Sequence, residues 1–227
     1  SLKTSLLDLQ VKANANLMAN VVETNEVEWL KKIHSANSTQ PLIPAENKPG
    51  VLEAVSDALY ENRYLRVVYT NKMGATREGD VRPLGLVQQG NKMLMVCECD
   101  QWDADEISQG TQQETPIKWN LMLHRIEKAT PLDQTFLRPK FSLETYDRRG
   151  GFGIGTGRMI KIRFKMTAEN ALSLLETKLS EDQTHVQLAD GWYQIQAKLA
   201  DTLILDRWLV GFGAQVKDVE KLPCASD

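Results

Sequence analysis

Apolar positions along this chain follow a helical period first, then a strand period, then both in alternation. Leu2, Leu6, Leu9, Ala13 and Leu17 recur at three- to four-residue steps and predict helix within residues 2–36. Trp29, Leu30 and Ile33 mark a second short helix from Val27 to Ile33. Turn formers then dominate from Ser35 to Pro41 and from Pro44 to Gly50. Val51, Leu52, Val55, Ala58 and Leu59 predict one more amphipathic helix. Beyond it the period drops to two, with Leu65, Val67 and Tyr69 on one strand face. Strands are expected at Arg77–Val81 and Leu84–Val87. The next carries Met93, Met95, Cys97 and Cys99, and a last one carries Trp119, Leu121 and Leu123. Turns are expected at Asn71–Gly74 and Gln88–Asn91, and an acidic loop over Asp100–Thr115. One helix followed by five short strands predicts a small SH3-like or Sm-like β-barrel.

The third quarter opens a cleaner pattern. Ile160, Ile162, Phe164 and Met166 alternate with Lys161, Arg163 and Lys165, as in a half-buried strand. Thr167 is placed to cap a helix bearing Ala168, Ala171, Leu172, Leu175 and Leu179. Val186 and Leu188 mark a strand that Asp190-Gly191 folds back onto Tyr193, Ile195, Ala197 and Leu199. Asp201 or Thr202 caps a helix through Leu205, Trp208, Leu209 and Phe212, ended by Gly213, and a strand comes next over Gln215–Glu220. The order βαββαβ is that of a ferredoxin-like domain. The expected class is therefore α+β: N-terminal helices, a small barrel, and a C-terminal ferredoxin-like domain.

Composition excludes more than it assigns. Of 227 residues, 42% are apolar and 25% charged, which excludes a mainly disordered chain. No apolar run approaches the roughly 18 residues of a membrane-spanning helix. A net charge of −3 excludes a protein that coats DNA with its whole surface. No signal peptide is legible, and a start at Ser1 rather than Met is what a piece of a longer protein would show. The cysteines are Cys97, Cys99 and Cys224; their odd number and spacing suit a reducing cytoplasm and offer no metal ligand set. No cofactor is expected. The three histidines are scattered, and no nucleophile elbow, zinc-protease or phosphate-loop motif occurs, so no enzyme is expected.

Arg148–Gly157 holds five glycines in ten residues. Its G-x-G-x-G-x-G spacing precedes a strand, against the helix that a dinucleotide fingerprint requires, so it reads as an interdomain hinge. Around it, residues 137–165 carry eight cations against Glu144 and Asp147, a local balance of +6. Arg138, Lys140, Arg148, Arg149, Arg158, Lys161 and Arg163 read either as a solvated basic face or as a strip that tracks phosphates. Phe141, Tyr146 and Phe152 interleave with them as stacking platforms would.

Two stretches carry a family resemblance. Leu65-Arg-Val-Val-Tyr69, Val81-Arg-Pro-Leu-Gly-Leu86, the glycine turn with its apolar strand, and Leu123-His-Arg-Ile126 together resemble the WYL domain. Arg207-Trp-Leu-Val-Gly-Phe-Gly213, with a strand after it, resembles the WYL C-terminal extension, and the two cover residues 51–222. The name-giving Trp-Tyr-Leu is replaced by Lys92-Met93-Leu94. Trp119 and Leu121 replace the first arginine and the phenylalanine of the family's R-x-F-x-L-x-R-I pattern. The resemblance implies a helical linker or dimerisation segment over 1–48, a barrel over 49–136, a basic glycine-rich linker over 137–157 and the extension over 158–227. It further implies a bacterial transcriptional regulator that senses a nucleotide or single-stranded nucleic-acid effector. Such a regulator works as a homodimer and reaches operator DNA through an upstream winged helix-turn-helix outside this sequence.

On that reading the ligand site is Tyr69, Arg82, Lys92, His124 and Arg125, converging on one side of the barrel. Each has a plainer alternative. Tyr69 reads also as a core ring with its hydroxyl at the surface, and Arg82 as a surface salt bridge. Strand parity puts Arg125 on the core face, where a charge must be paired or the strand must bend. The alternative for the whole chain is a dimerisation or protein-interaction module with no small ligand.

Overall fold

The computed structural model describes residues 42–108 and 116–224, with Lys32 and Gln40. The two expected N-terminal helices lie outside the described residues. The chain divides into two units, Ser1–Pro44 and Ala45–Asp227, and every helix and strand described belongs to the second.

Helix α1 (Val51–Glu61) buries Val51, Val55 and Ala58. It ends where Asn62 takes a left-handed φ of 53° and its N–H bonds back to the Ala58 carbonyl, a conformation that asparagine tolerates better than most residues. Five strands come next: β1 (Arg63–Thr70), β2 (Thr76–Gln89), β3 (Lys92–Glu98), β4 (Trp119–Met122) and β5 (Ile126–Thr135). They form one antiparallel sheet in the order β4-β3-β2-β1-β5. The expected closed barrel is not made, because the ladders end at β4 and β5. Its core joins Val55, Leu65, Val67, Val81, Met95, Leu123 and Ile126, all essentially without solvent exposure.

Three further expectations are corrected by the fold. The separate strands at 77–81 and 84–87 are one long strand, β2. Pro83, which lacks an N–H, sits where the ladder with β3 shifts register between Pro83 and Gly85, so the strand bends there without losing a bond it could have made. A fifth strand, β5, pairs with β1 along an edge, where Pro131 is tolerated opposite Leu65. Within the acidic loop, Asp100–Ser108 is a helix, α2. Asp100 and Asp103 lie in its first turn, where carboxylates suit the positive helix end, and Trp102 anchors it in the core at 2% exposure.

A short helix α3 (Leu143–Arg148), capped by the Ser142 side chain, leads to the second sheet. That sheet holds β6 (Gly155–Met166), β7 (Thr184–Gln187), β8 (Tyr193–Thr202) and β9 (Val216–Pro223) in the order β7-β8-β6-β9, antiparallel throughout. Helices α4 (Ala168–Glu176) and α5 (Leu203–Gly211) add to its core. Ile162, Phe164, Met166 and Ile195 meet Ala171, Leu205 and Leu209, with Trp208 edge-on to Phe164. Thr202 caps α5, its hydroxyl accepting from the Leu205 N–H at 3.1 Å. Leu174 rather than Leu172 faces this core, and Leu172 stays 54% exposed.

Candidate functional site

The site begins with a spacing problem. Leu121 and Leu123 enter the first core as strand parity requires, but the next buried residue is Ile126, not Arg125. Positions three apart cannot share one face of a strand. A 3-10 turn eclipses residues i and i+3, and the chain makes one over Leu123–Arg125. The turn rotates Arg125 away from the core face that strand parity assigned to it and leaves His124 and Arg125 half-buried at the end of β4.

The ladder between β3 and β4 starts at Leu94 opposite Met122, so this turn lies beside the first residues of β3. There Lys92, exposed, comes after a tight turn in which Gly90 takes a φ of 60°. The imidazole of His124 is held below its usual pKa by partial burial, and by the positive charges of Arg125 and Lys92. Among the described residues no carboxylate pairs with Lys92, His124 or Arg125. Tyr69, half-buried against the same core, pairs in register with Ile126, the residue after the turn.

Arg82 does not join them. It lies opposite Glu98, at the far end of β3 from Lys92, six strand positions or roughly 20 Å along the strand. Its guanidinium grips both oxygens of Asp100 at 2.8 and 2.6 Å and reaches Glu98 at 3.2 Å. The Asp100 bonds hold its pKa above even the usual arginine value. Glu98, almost fully buried, also meets Lys118 at 2.7 Å. Arg82 is thus tied to two acids and stands apart from Lys92, His124 and Arg125.

The basic strip is likewise divided by the fold. Arg163 pairs with Glu220 and Lys165 with Asp218, both acids arriving from β9. Arg148 pairs with Glu144 at 2.8 Å, and Arg138 donates to the Leu84 carbonyl. Lys140, Arg149, Arg158 and Lys161 lie on the remainder of the strip. The interleaved rings contact one another, Phe141 with Tyr146 at 5.5 Å and Tyr146 with Phe152 at 5.1 Å.

Two positions without any sequence signal hold the glycine run in place. Asn120 donates to the Gly151 carbonyl at 2.7 Å and Gln89 to the Phe152 carbonyl at 2.9 Å. A third, Asp103, is buried and accepts from the Ile117 N–H at 3.0 Å and the Trp119 indole at 2.9 Å. An acid in a first helical turn is the one signal for it. Nothing in the sequence marks the two carboxamides. Among the described residues no cluster of His, Cys, Asp and Glu could hold a metal ion, and no helix is long and apolar enough to cross a membrane.

Helix α1, β1 to β3 and most of α2 fall within a stretch, residues 50–106, that matches the model of the WYL domain. That stretch includes Tyr69, Arg82 and Lys92; His124 and Arg125 lie beyond it. The chain is also similar to the solved structure of proteasome accessory factor B/C of Arthrobacter aurescens. That match has 16% identity and a TM-score of 0.38, and covers 84% of this chain and 27% of that one. The chain therefore spans about a quarter of that protein's length. No curated protein matches it.

Proposed function

We propose that this chain is the effector-sensing portion of a WYL-type transcriptional regulator. Its ligand is a nucleotide or a single-stranded nucleic acid, held at Lys92, His124 and Arg125 with Tyr69 beside them. The observation that carries this reading is the unneutralised charge: a half-buried guanidinium and imidazole next to a lysine, with no carboxylate answering them among the described residues. Such a group gains most from a phosphate, which a guanidinium grips through two parallel hydrogen bonds. Residues 49–136 act as the sensor, an Sm-like half-barrel. Residues 158–227 form a ferredoxin-like extension, a reading supported by the strand order β9-β6-β8-β7 with two helices between. Lys140, Arg149 and Lys161 offer secondary contacts to a longer strand. Operator DNA is read by a domain outside these residues, and two copies pair through the N-terminal segment.

Fluorescence anisotropy with a short oligothymidylate tests the site. Arg125→Ala is expected to weaken binding at least about tenfold, since a charge-assisted hydrogen bond contributes about 1.5–3 kcal/mol. Lys178→Ala, an exposed lysine in the second sheet's half, should leave it unchanged. Equal binding by wild type and Arg125→Ala would remove this site.

A further inference from the structure

The glycine run is not built as a free hinge. Four consecutive carbonyls, Gly151 to Ile154, each accept a hydrogen bond, and the donors come from both sheets' neighbourhoods. Gly151 and Phe152 receive the side-chain amides of Asn120 on β4 and Gln89 on β2. Gly153 and Ile154 receive the backbone N–H groups of Ile204, at 3.3 Å, and Leu203, at 3.0 Å, in the first turn of α5.

The absent side chains matter as much as the bonds. A Cβ on Gly151 would lie 2.5 Å from the Tyr146 ring, and one on Gly153 2.7 Å from the Thr202 methyl. One on Gly155 would lie 2.2 Å from the Asp201 carbonyl oxygen. These glycines are required by close approach, not by looseness. Ile154, β-branched, is held at a φ of +52°, a conformation that persists only where surroundings enforce it.

The two carboxamides also stand at telling places. Gln89 is the ladder partner of Lys92. Asn120 lies on the strand that runs into His124 and Arg125. We propose that Gly150–Gly155 is a clasp that couples the sensor end of the first sheet to the first turn of α5 in the second. Displacement at Lys92 or at the end of β4 moves Gln89 or Asn120, shifts the carbonyls they hold, and is felt by the Leu203 and Ile204 amides. This rests on the ligand site proposed above only for the source of the displacement; the clasp itself is testable without ligand.

The experiment is residue-resolved amide hydrogen exchange on the full chain, comparing wild type with the double variant Gln89→Ala, Asn120→Ala. The Leu203 and Ile204 amides are expected to exchange at least about tenfold faster in the variant, while Ile162 and Ile195 in the second core keep wild-type rates. Thr202→Ser removes the methyl packed on Gly150 and Gly153 and should accelerate the same two amides from the other side. Unchanged Leu203 and Ile204 rates in the folded double variant would overturn the clasp. So would acceleration spread evenly over the second sheet, which marks general destabilisation. Failure of oligothymidylate to bind would remove the ligand reading and leave this result standing.

Discussion

Arg125 and Arg82 show how little residue type says by itself. Both are arginines at strand ends or bends in family-like motifs. Arg82 answers Asp100 and a buried Glu98, whereas Arg125 answers no acid among the described residues. Arg125→Ala should therefore leave the thermal midpoint within about a degree of wild type, as unpaired surface changes do. Arg82→Ala should cost about 2–3 kcal/mol, because Glu98 loses a charged partner while buried, and denaturant melts would show it. His124 adds a pH signature. Its pKa is lowered in the fold, so the stability that its neutral form contributes is present above about 6.5 and lost as pH falls below that value. A bound anion favours the charged imidazole, so ligand affinity should rise on acidification, and His124→Gln should flatten that rise. The salt dependence gives a second check. For single strands the slope of log K against log salt is about −0.7 per phosphate neutralised. Two cations give about −1.4 at neutral pH, steepening toward about −2 once His124 is charged.

At the scale of elements, α2 reads from sequence as an acidic loop, because its four acids mask one apolar anchor. Trp102 fills the core, stacks edge-on to Trp119 at 5.4 Å and donates its indole N–H to the Glu78 carbonyl. Asp103 then ties the helix to the start of β4. Asp103→Ala would leave two donors without an acceptor at a cost of about 1–3 kcal/mol. The expected readouts are a lower melting midpoint and a red-shifted tryptophan emission as Trp119 loosens. Strand β5 is hidden in the sequence for a different reason. Pro131 and a broken alternation argue against a central strand, and only the free edge of β1 makes them acceptable. The hairpin turn at Gly191 and the Thr202 cap are legible because each depends on residues within four positions of one another.

For the whole molecule, the +6 segment is a property of sequence distance alone. Glu220 and Asp218 lie more than fifty residues from Arg163 and Lys165 in the chain and pair with them across a ladder. The proposed dimer predicts a mass twice that of the chain by light scattering at micromolar concentration. A monomer there would remove the N-terminal pairing reading and leave the ligand site untouched.

Sequence by itself determined the elements whose evidence is local. Periods of two and of three to four assigned α1, β1, β6 and α5 to their faces, because burial of one face repeats with the backbone period. It also placed Lys92, His124 and Arg125 among the residues worth testing. Tertiary structure alone decided which charges remain unanswered, since pairing depends on what a distant strand delivers. It alone turned Arg125 off the core face, because the core needed Ile126 three residues after Leu123. And it alone made a tight joint of Gly150, Gly151, Gly153 and Gly155, because whether glycine confers freedom or close approach depends on what stands next to it.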